Sequence, residues 1–141
     1  MHNNPSNLIV AVSEALGRRL DKRKFMDRLI MQKGCYILNS WGFGPFYKYR
    51  LYIRGPYSSE LADDYYEIKR LNNSTDIPAD AIDELSKIMS KGVDYTEAYA
   101  TVLLVKRNNP DRSNADILKK SMEIKPHLKN EVREACSSIL T

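Results

Sequence analysis

The stretch from Phe46 to Leu61 constrains the fold most, because it combines a strand, a sharp break and a helix start in one short span. Aromatic, leucine and isoleucine side chains dominate residues 46–53, and such side chains favour a pleated strand. Alternation along a strand sends successive side chains to opposite faces. The expected core face carries Tyr47, Tyr49, Leu51 and Ile53. The expected outer face, basic and aromatic, carries Phe46, Lys48, Arg50, Tyr52 and Arg54.

The step Gly55-Pro56 is predicted to end this strand. Proline has no N–H for a strand ladder, and glycine permits backbone angles that other residues avoid. Ser58 or Ser59 can then cap a helix by accepting a hydrogen bond from a free backbone N–H. The one nearby partner that the sequence offers for the strand is residues 74–77. The structural motif assigned to this step comprises Gly55, Pro56, Tyr57, Ser58, Glu60 and Leu61.

Apolar residues recur at helical spacing through the rest of the chain and predict about six or seven helices. The first is expected from a start signal at residues 5–7 to about residue 20. The second, capped by Asp21, is expected to reach about residue 39 and to turn Phe25 and Met26 inward. The later helices are expected at about 59–71, 78–91, 95–107, 113–123 and 128–140. Ser113 is expected to cap the fourth of these.

A turn after the second helix carries two large aromatic side chains, Trp41 and Phe43. Both flank glycines, so they form either an exposed recognition patch or a lid over the core. We expect the lid, because a small domain seldom leaves its sole tryptophan in water.

Length and composition indicate one mainly α domain over residues 1–141, with a small β element. No apolar run approaches the roughly 20 residues that span a membrane. The first residues lack the basic and apolar segments of a signal peptide, so we expect a cytoplasmic protein. Its two cysteines, Cys35 and Cys136, are then expected to stay reduced.

Charge is unevenly distributed along the chain. Residues 1–54 carry ten Lys or Arg against three Asp or Glu, whereas residues 55–105 carry four against ten. Such segregation predicts a polarised surface or two segments that attract each other. We expect Arg19, Lys22, Arg23, Lys48 and Arg50 to form one positive surface that binds an acidic protein partner. The candidate binding residues are Arg19, Lys22, Arg23, Lys48, Arg50 and Arg54.

Two alternatives remain for these basic residues. Cations interleaved with aromatic side chains also bind nucleic acids, by phosphate neutralisation and base stacking. A nucleic-acid-binding regulator of the winged-helix kind is therefore the rival function. The other alternative is pairing with the acidic segment 60–84 of the same fold. The oligomeric state is left open, with a homodimer among the alternatives.

Three segments carry a family resemblance: KFMDRLIMQKGCYIL at 24–38, YIRGPYSSEL at 52–61, and a closing pattern from Ala98 through Lys125-Pro126 to Leu140. In this order they resemble a group of bacterial and archaeal proteins typified by YwgA and related to the Panacea (SocA-like) antitoxin domain. The second segment is the most specific of the three. Together the segments cover most of the chain.

The resemblance implies a mainly helical domain with a short β element and no enzymatic activity. It further implies a regulatory or protein-interaction module, which is antitoxin-like in the Panacea branch. The sequence departs from the family at Gly34-Cys35, where two apolar residues are expected. We expect the second helix to be loosened there.

The sequence offers few candidate residues for catalysis, metal binding or cofactor binding. Cys35 as a nucleophile with His127 as its base is one reading, but nothing in the sequence brings the two together. His2 and His127 are expected near the terminus and on the surface, so no metal site is expected. Acidic residues 60–67 are expected to form a solvated helix face rather than a cation site. No glycine-rich phosphate loop is present, and no cofactor is expected.

Overall fold

The structure, a computed structural model, describes residues 4–140. Within them the chain forms a mainly α fold with a two-stranded antiparallel sheet, which confirms the predicted fold class. The helices are α1 (Ser6–Leu16), α2 (Phe25–Ser40), α3 (Ser59–Glu67), α4 (Ala79–Ser90), α5 (Val93–Asn108), α6 (Asn114–Ile124) and α7 (Lys129–Ile139). The strands are β1 (Arg50–Tyr52) and β2 (Gly55–Tyr57), and a 3₁₀ turn, Pro126–Leu128, precedes α7.

Helices α2 and α5 form the centre of the core. Residues 31–39 of α2 are all buried, and α5 packs against α2, α4, α6, α7 and β2. Gly34 lies where α1 crosses α2, and a Cβ at this position would meet the methyl groups of Val12 at 2.7 Å. The helix is continuous there, so the expected loosening at Gly34-Cys35 is wrong. The missing side chain instead lets the two helices approach closely.

The sheet differs most from expectation. Strand β1 covers only part of residues 46–53, and its partner is β2 rather than residues 74–77. Gly55-Pro56 therefore begins a second strand instead of ending the sheet. Gly55 adopts a φ of 98°, which glycine takes easily, and this completes the tight turn between the two strands. Pro56 fits in β2 because each strand of a two-stranded sheet is an edge strand. Ile53 falls in the turn and is 90% exposed, so its predicted core position is wrong.

Three helix boundaries also differ. Helix α1 ends before residue 20 because Gly17 takes a left-handed conformation and donates to the carbonyls of Ser13 and Glu14. Helix α2 begins at Phe25 without a side-chain cap, since the Asp21 carboxylate bonds to Arg23 instead. Helix α3 ends at Glu67 rather than near residue 71.

The shift of the α2 start changes which side chains are exposed. Phe25 and Met26 fall in the first turn, where they are 55% and 45% exposed, so their expected inward position is wrong. Trp41 and Phe43 are half-buried and pack against the core, as expected of a lid. None of the helices in residues 4–140 has the length and apolar character needed to cross a bilayer.

Helix starts with a local cap agree with the sequence. The Ser58 hydroxyl accepts from the Leu61 N–H at 3.1 Å and caps α3, and Ser113 caps α6 through the Asp116 N–H at 3.1 Å. Each serine accepts from the N–H three residues later in the chain, and such a local contact can be predicted from the sequence pattern.

Candidate functional site

A buried amide pair joins the start of α3 to α2. The Gln32 side chain donates to the Ser58 carbonyl at 2.9 Å and accepts from the Ser58 N–H at 2.8 Å. Both residues are buried, so each satisfies polar groups that water cannot reach. The pair fixes the segment that follows β2 against the centre of the core.

Beside it lies a buried charged cluster, formed by Lys33 of α2, Glu97 of α5 and Lys125 before the 3₁₀ turn. The Lys33 and Lys125 ammonium groups lie 3.6 and 3.2 Å from the Glu97 carboxylate, and Lys125 also donates to the Ile53 carbonyl. Two cations thus share one carboxylate, and burial lowers the pKa of Lys33 despite that carboxylate. The three segments that carry the family resemblance therefore meet at one point.

The charged cluster positions the β hairpin. A Cβ on Gly55 would lie 3.3 Å from Cγ of Glu97 and 3.5 Å from the Thr101 hydroxyl oxygen. The hairpin therefore rests directly on α5, with Lys125 holding its turn. The sequence reasoning missed Glu97, although a carboxylate within the apolar run of a helix was the available signal.

Three of the predicted binding residues lie in one depression of about 670 Å³, here called the basic groove. It lies between the α1–α2 loop and the chain after α3. Among the described residues, its cations are Arg19, Lys22, Arg23, Lys24, Lys69 and Arg70, and its one acidic residue is Asp21. Its remaining lining is Ile9, Leu20, Met31, Tyr65, Ile68 and Leu71. The groove thus has a basic rim and a mainly aliphatic floor.

Two groove cations have structural partners. The Lys22 ammonium group donates to the carbonyls of Tyr66, at 2.8 Å, and Ile68, which are exposed by the end of α3. Arg23 pairs with Asp21 at 2.9 Å and lowers the pKa of that carboxyl to about 2. Within residues 4–140, no side-chain hydrogen bond or ion pair engages the other four, which are Arg19, Lys24, Lys69 and Arg70.

A brace beneath the groove orders the α1–α2 loop. Arg18 donates twice to the Asp27 carboxylate, at 3.0 and 2.8 Å, and the Asp21 N–H donates to the same group at 2.8 Å. These bonds lower the pKa of Asp27. The loop that carries Arg19 is therefore held against α2 by its own residues Arg18 and Asp21.

The remaining predicted residues lie elsewhere. Lys48 and Arg50 line a different cavity, beside the hairpin, which shares no lining residue with the groove. The Arg54 guanidinium lies 5.8 Å from the Phe25 ring, which Arg28 also faces at 5.8 Å. Arg28 lies 6.0 Å from the ring of Tyr66 as well. The structure therefore divides the predicted basic set among three places, so the expectation that they line one surface is wrong.

Residues considered for catalysis are not assembled. Cys35 is fully buried, and burial raises the pKa of its thiol above the ordinary range, while His127 is exposed on the 3₁₀ turn. His2 lies outside the described residues. Asp64 is buried and accepts from the Tyr47 hydroxyl at 2.7 Å. In residues 4–140, His, Cys, Asp and Glu form no group of three that could hold a metal ion.

The chain was compared with protein-family models, curated proteins and solved structures, and no match was found in any of the three.

Proposed function

We propose that the protein is a non-enzymatic regulatory module whose basic groove captures an acidic segment of a protein partner. The observation that carries the proposal is the groove itself, where six cations and one carboxylate surround an aliphatic floor. Exposed ion pairs add little to folding, so cations without a partner are available for binding. The resemblance to the YwgA and Panacea group, with its antitoxin-like branch, supports the same class of function. We expect the module to act in the cytoplasm.

The floor of the groove favours a protein over a nucleic acid. Single-stranded nucleic acids bind by stacking bases on exposed aromatic rings. Among residues 4–140, the only ring in the groove lining is that of Tyr65, which is 1% exposed, and the other floor residues are aliphatic. Leucine or isoleucine side chains flanked by carboxylates complement such a surface better than bases do.

Selection from a random peptide display library tests the proposal. The protein is treated with nuclease, immobilised and screened against the library at physiological salt. We expect enrichment of peptides that combine several Asp or Glu with aliphatic residues. The Arg19→Glu/Arg70→Glu variant should not select them, because it reverses two unpartnered rim charges. The Arg112→Glu/Lys119→Glu variant, altered outside the groove, is the matched control.

Two outcomes would contradict the proposal. One is enrichment of peptides without acidic residues, or of the same peptides by the groove variant. The other is nucleic acid that copurifies without nuclease treatment, detected by the absorbance ratio, and that is lost from the groove variant but kept by the control. The second outcome would assign the groove to the rival function.

A further inference from the structure

A cavity of about 610 Å³ lies between the hairpin, the start of α3 and the end of α5. Its aromatic lining consists of Tyr36, Tyr47, Tyr49, Tyr52 and Tyr57. Its charged lining consists of Lys48, Arg50, Glu60 and Arg107. This volume is typical of sites for small molecules, and clustered aromatic rings with a few polar groups are their usual lining.

Hydrogen bonds hold Tyr47 and Tyr49 in place, and ring packing holds Tyr36. The Tyr36 hydroxyl has no hydrogen-bond partner among residues 4–140. Tyr47 donates to Asp64 at 2.7 Å, and Tyr49 donates to Asn39 at 3.1 Å. Tyr36 packs edge-to-face on Tyr49 with ring centres 4.7 Å apart, yet its hydroxyl forms no hydrogen bond within residues 4–140 although the residue is only 1% exposed. Buried hydroxyls are normally satisfied, so an unsatisfied one on a residue that lines a cavity is a candidate hydrogen-bond donor to a ligand.

The charges around the cavity favour an anion. Within residues 4–140, Lys48, Arg50 and Arg107 have no side-chain hydrogen bond or ion pair, and Glu60 is the one opposing carboxylate. The excess is two positive charges. A terminal phosphate monoester carries about −1.5 to −2 at neutral pH, which matches this excess.

We propose that this cavity binds a nucleoside monophosphate. Its base lies against the tyrosine rings, where any nucleobase finds aromatic faces and edges. Its phosphate lies between Arg50 and Arg107, since guanidinium groups bind phosphate oxygens in a fork geometry. The Tyr36 hydroxyl supplies a hydrogen bond to the ligand. The cavity shares no lining residue with the basic groove, so this inference does not depend on the proposed function.

Calorimetric titration tests the proposal on the full chain. The probes are the four common nucleoside monophosphates, with adenosine and inorganic phosphate as half-ligands. We expect at least one nucleotide to bind with a dissociation constant in the millimolar range or lower. Adenosine and inorganic phosphate should each bind more weakly than that nucleotide. Arg50→Ala should weaken nucleotide binding about tenfold or more, the effect of losing one charge-assisted contact. Arg112→Ala is the matched control.

The Tyr36→Phe variant separates a ligand role from a structural one. It removes only the unsatisfied hydroxyl, so the free protein should melt at an equal or higher temperature. Nucleotide affinity should nevertheless fall about tenfold, the cost of one hydrogen bond. Tyr99→Phe, outside the cavity lining, should change neither quantity.

Three results would overturn the inference. The first is the absence of binding by all four nucleotides at millimolar concentration. The second is inorganic phosphate binding as tightly as the nucleotides, which would make the cavity an anion site without a base site. The third is unchanged nucleotide affinity in both Arg50→Ala and Tyr36→Phe.

Discussion

Two sets of cations in this molecule behave in opposite ways. Lys33 and Lys125 are buried, share the Glu97 carboxylate, and hold the hairpin against α5. The unpartnered cations of the basic groove, such as Arg19 and Arg70, lie exposed on its rim. The comparison shows that a cation's place in the fold, and not its charge, decides whether it shares a buried carboxylate or stays without a partner on the surface. Removing the carboxylate that the buried lysines share should therefore cost far more stability than reversing a rim charge.

The largest expected effect is that of Glu97→Gln. The change leaves two buried ammonium groups without a counter-charge, and breaking a buried ion pair from one side costs about 3–5 kcal/mol of unfolding free energy. Urea denaturation should show this loss as a lower midpoint. Arg19→Glu, which reverses a rim charge, should remain within about 0.5 kcal/mol of the wild type. Equal midpoints for Glu97→Gln and the wild type would contradict a structural role for the cluster.

Gly55→Val should have the next largest effect. Valine is strained at a φ of 98°, and its Cβ would crowd Glu97 at 3.3 Å. The expected loss is on the order of 1–3 kcal/mol, measurable as a melting temperature several degrees lower. Gly42→Val is an informative control, because φ there is also positive but no atom lies within 4 Å of the added Cβ. If Gly42→Val loses less unfolding free energy than Gly55→Val, the difference measures the crowding of Glu97, because backbone strain is common to both variants.

The residues in these two predictions also show which features of the fold can be predicted from the sequence alone. The cap at Ser113 and a cap at Ser58 or Ser59 are predictable because each acts within three residues of the chain. The partner of β1 is not predictable in this way, since Pro56 is typical of a strand end and is tolerated within β2 because β2 is an edge strand. Glu97 was missed because its cationic partners come from distant parts of the chain, which periodicity cannot reveal.

The candidate site shows the same limit. The excess of cations before Gly55 predicted a basic surface, and Arg19, Lys22 and Arg23 do line one groove. Lys69 and Arg70 join them only because α3 ends early and returns the chain to the α1–α2 loop. The aliphatic floor likewise comes from α1, α2 and the segment after α3, so no single stretch of sequence contains it.

Asp27→Asn should have a smaller effect. The carboxylate accepts three hydrogen bonds in the folded protein, and its pKa is lowered there. Its stabilisation is therefore present above the ordinary Asp pKa of about 3.9 and is lost as pH falls through the lower folded value. We expect a loss of about 1–2 kcal/mol at pH 7, discounted because Arg18 is half exposed. A melting difference from wild type that persists undiminished at pH 2 would contradict this assignment.

Lys33→Met should have the smallest effect on stability. It leaves Lys125 and Glu97 as a balanced pair, and replacing a buried charge by an apolar side chain is often neutral or stabilising. The pKa of Lys33 is lowered by folding, so charged Lys33 opposes folding and this penalty shrinks as pH rises towards the unfolded value near 10.4. The wild type should thus gain stability relative to Lys33→Met as pH rises towards the unfolded pKa. A constant difference over that rise in pH would show that Lys33 titrates as it does in water.

The binding side of the comparison has one direct measurement. An acidic peptide obtained by the selection above is titrated by fluorescence anisotropy into the wild type, Arg19→Glu/Arg70→Glu and Arg112→Glu/Lys119→Glu, with thermal melts of all three. We expect wild type and control to bind alike and more weakly as salt rises, since screening acts within ~8 Å at physiological ionic strength. The groove variant should lose binding while keeping its melting temperature. Undiminished binding by the groove variant would show that the groove cations do not serve binding. A melting temperature well below that of the control would contradict the account by showing that these cations are structural.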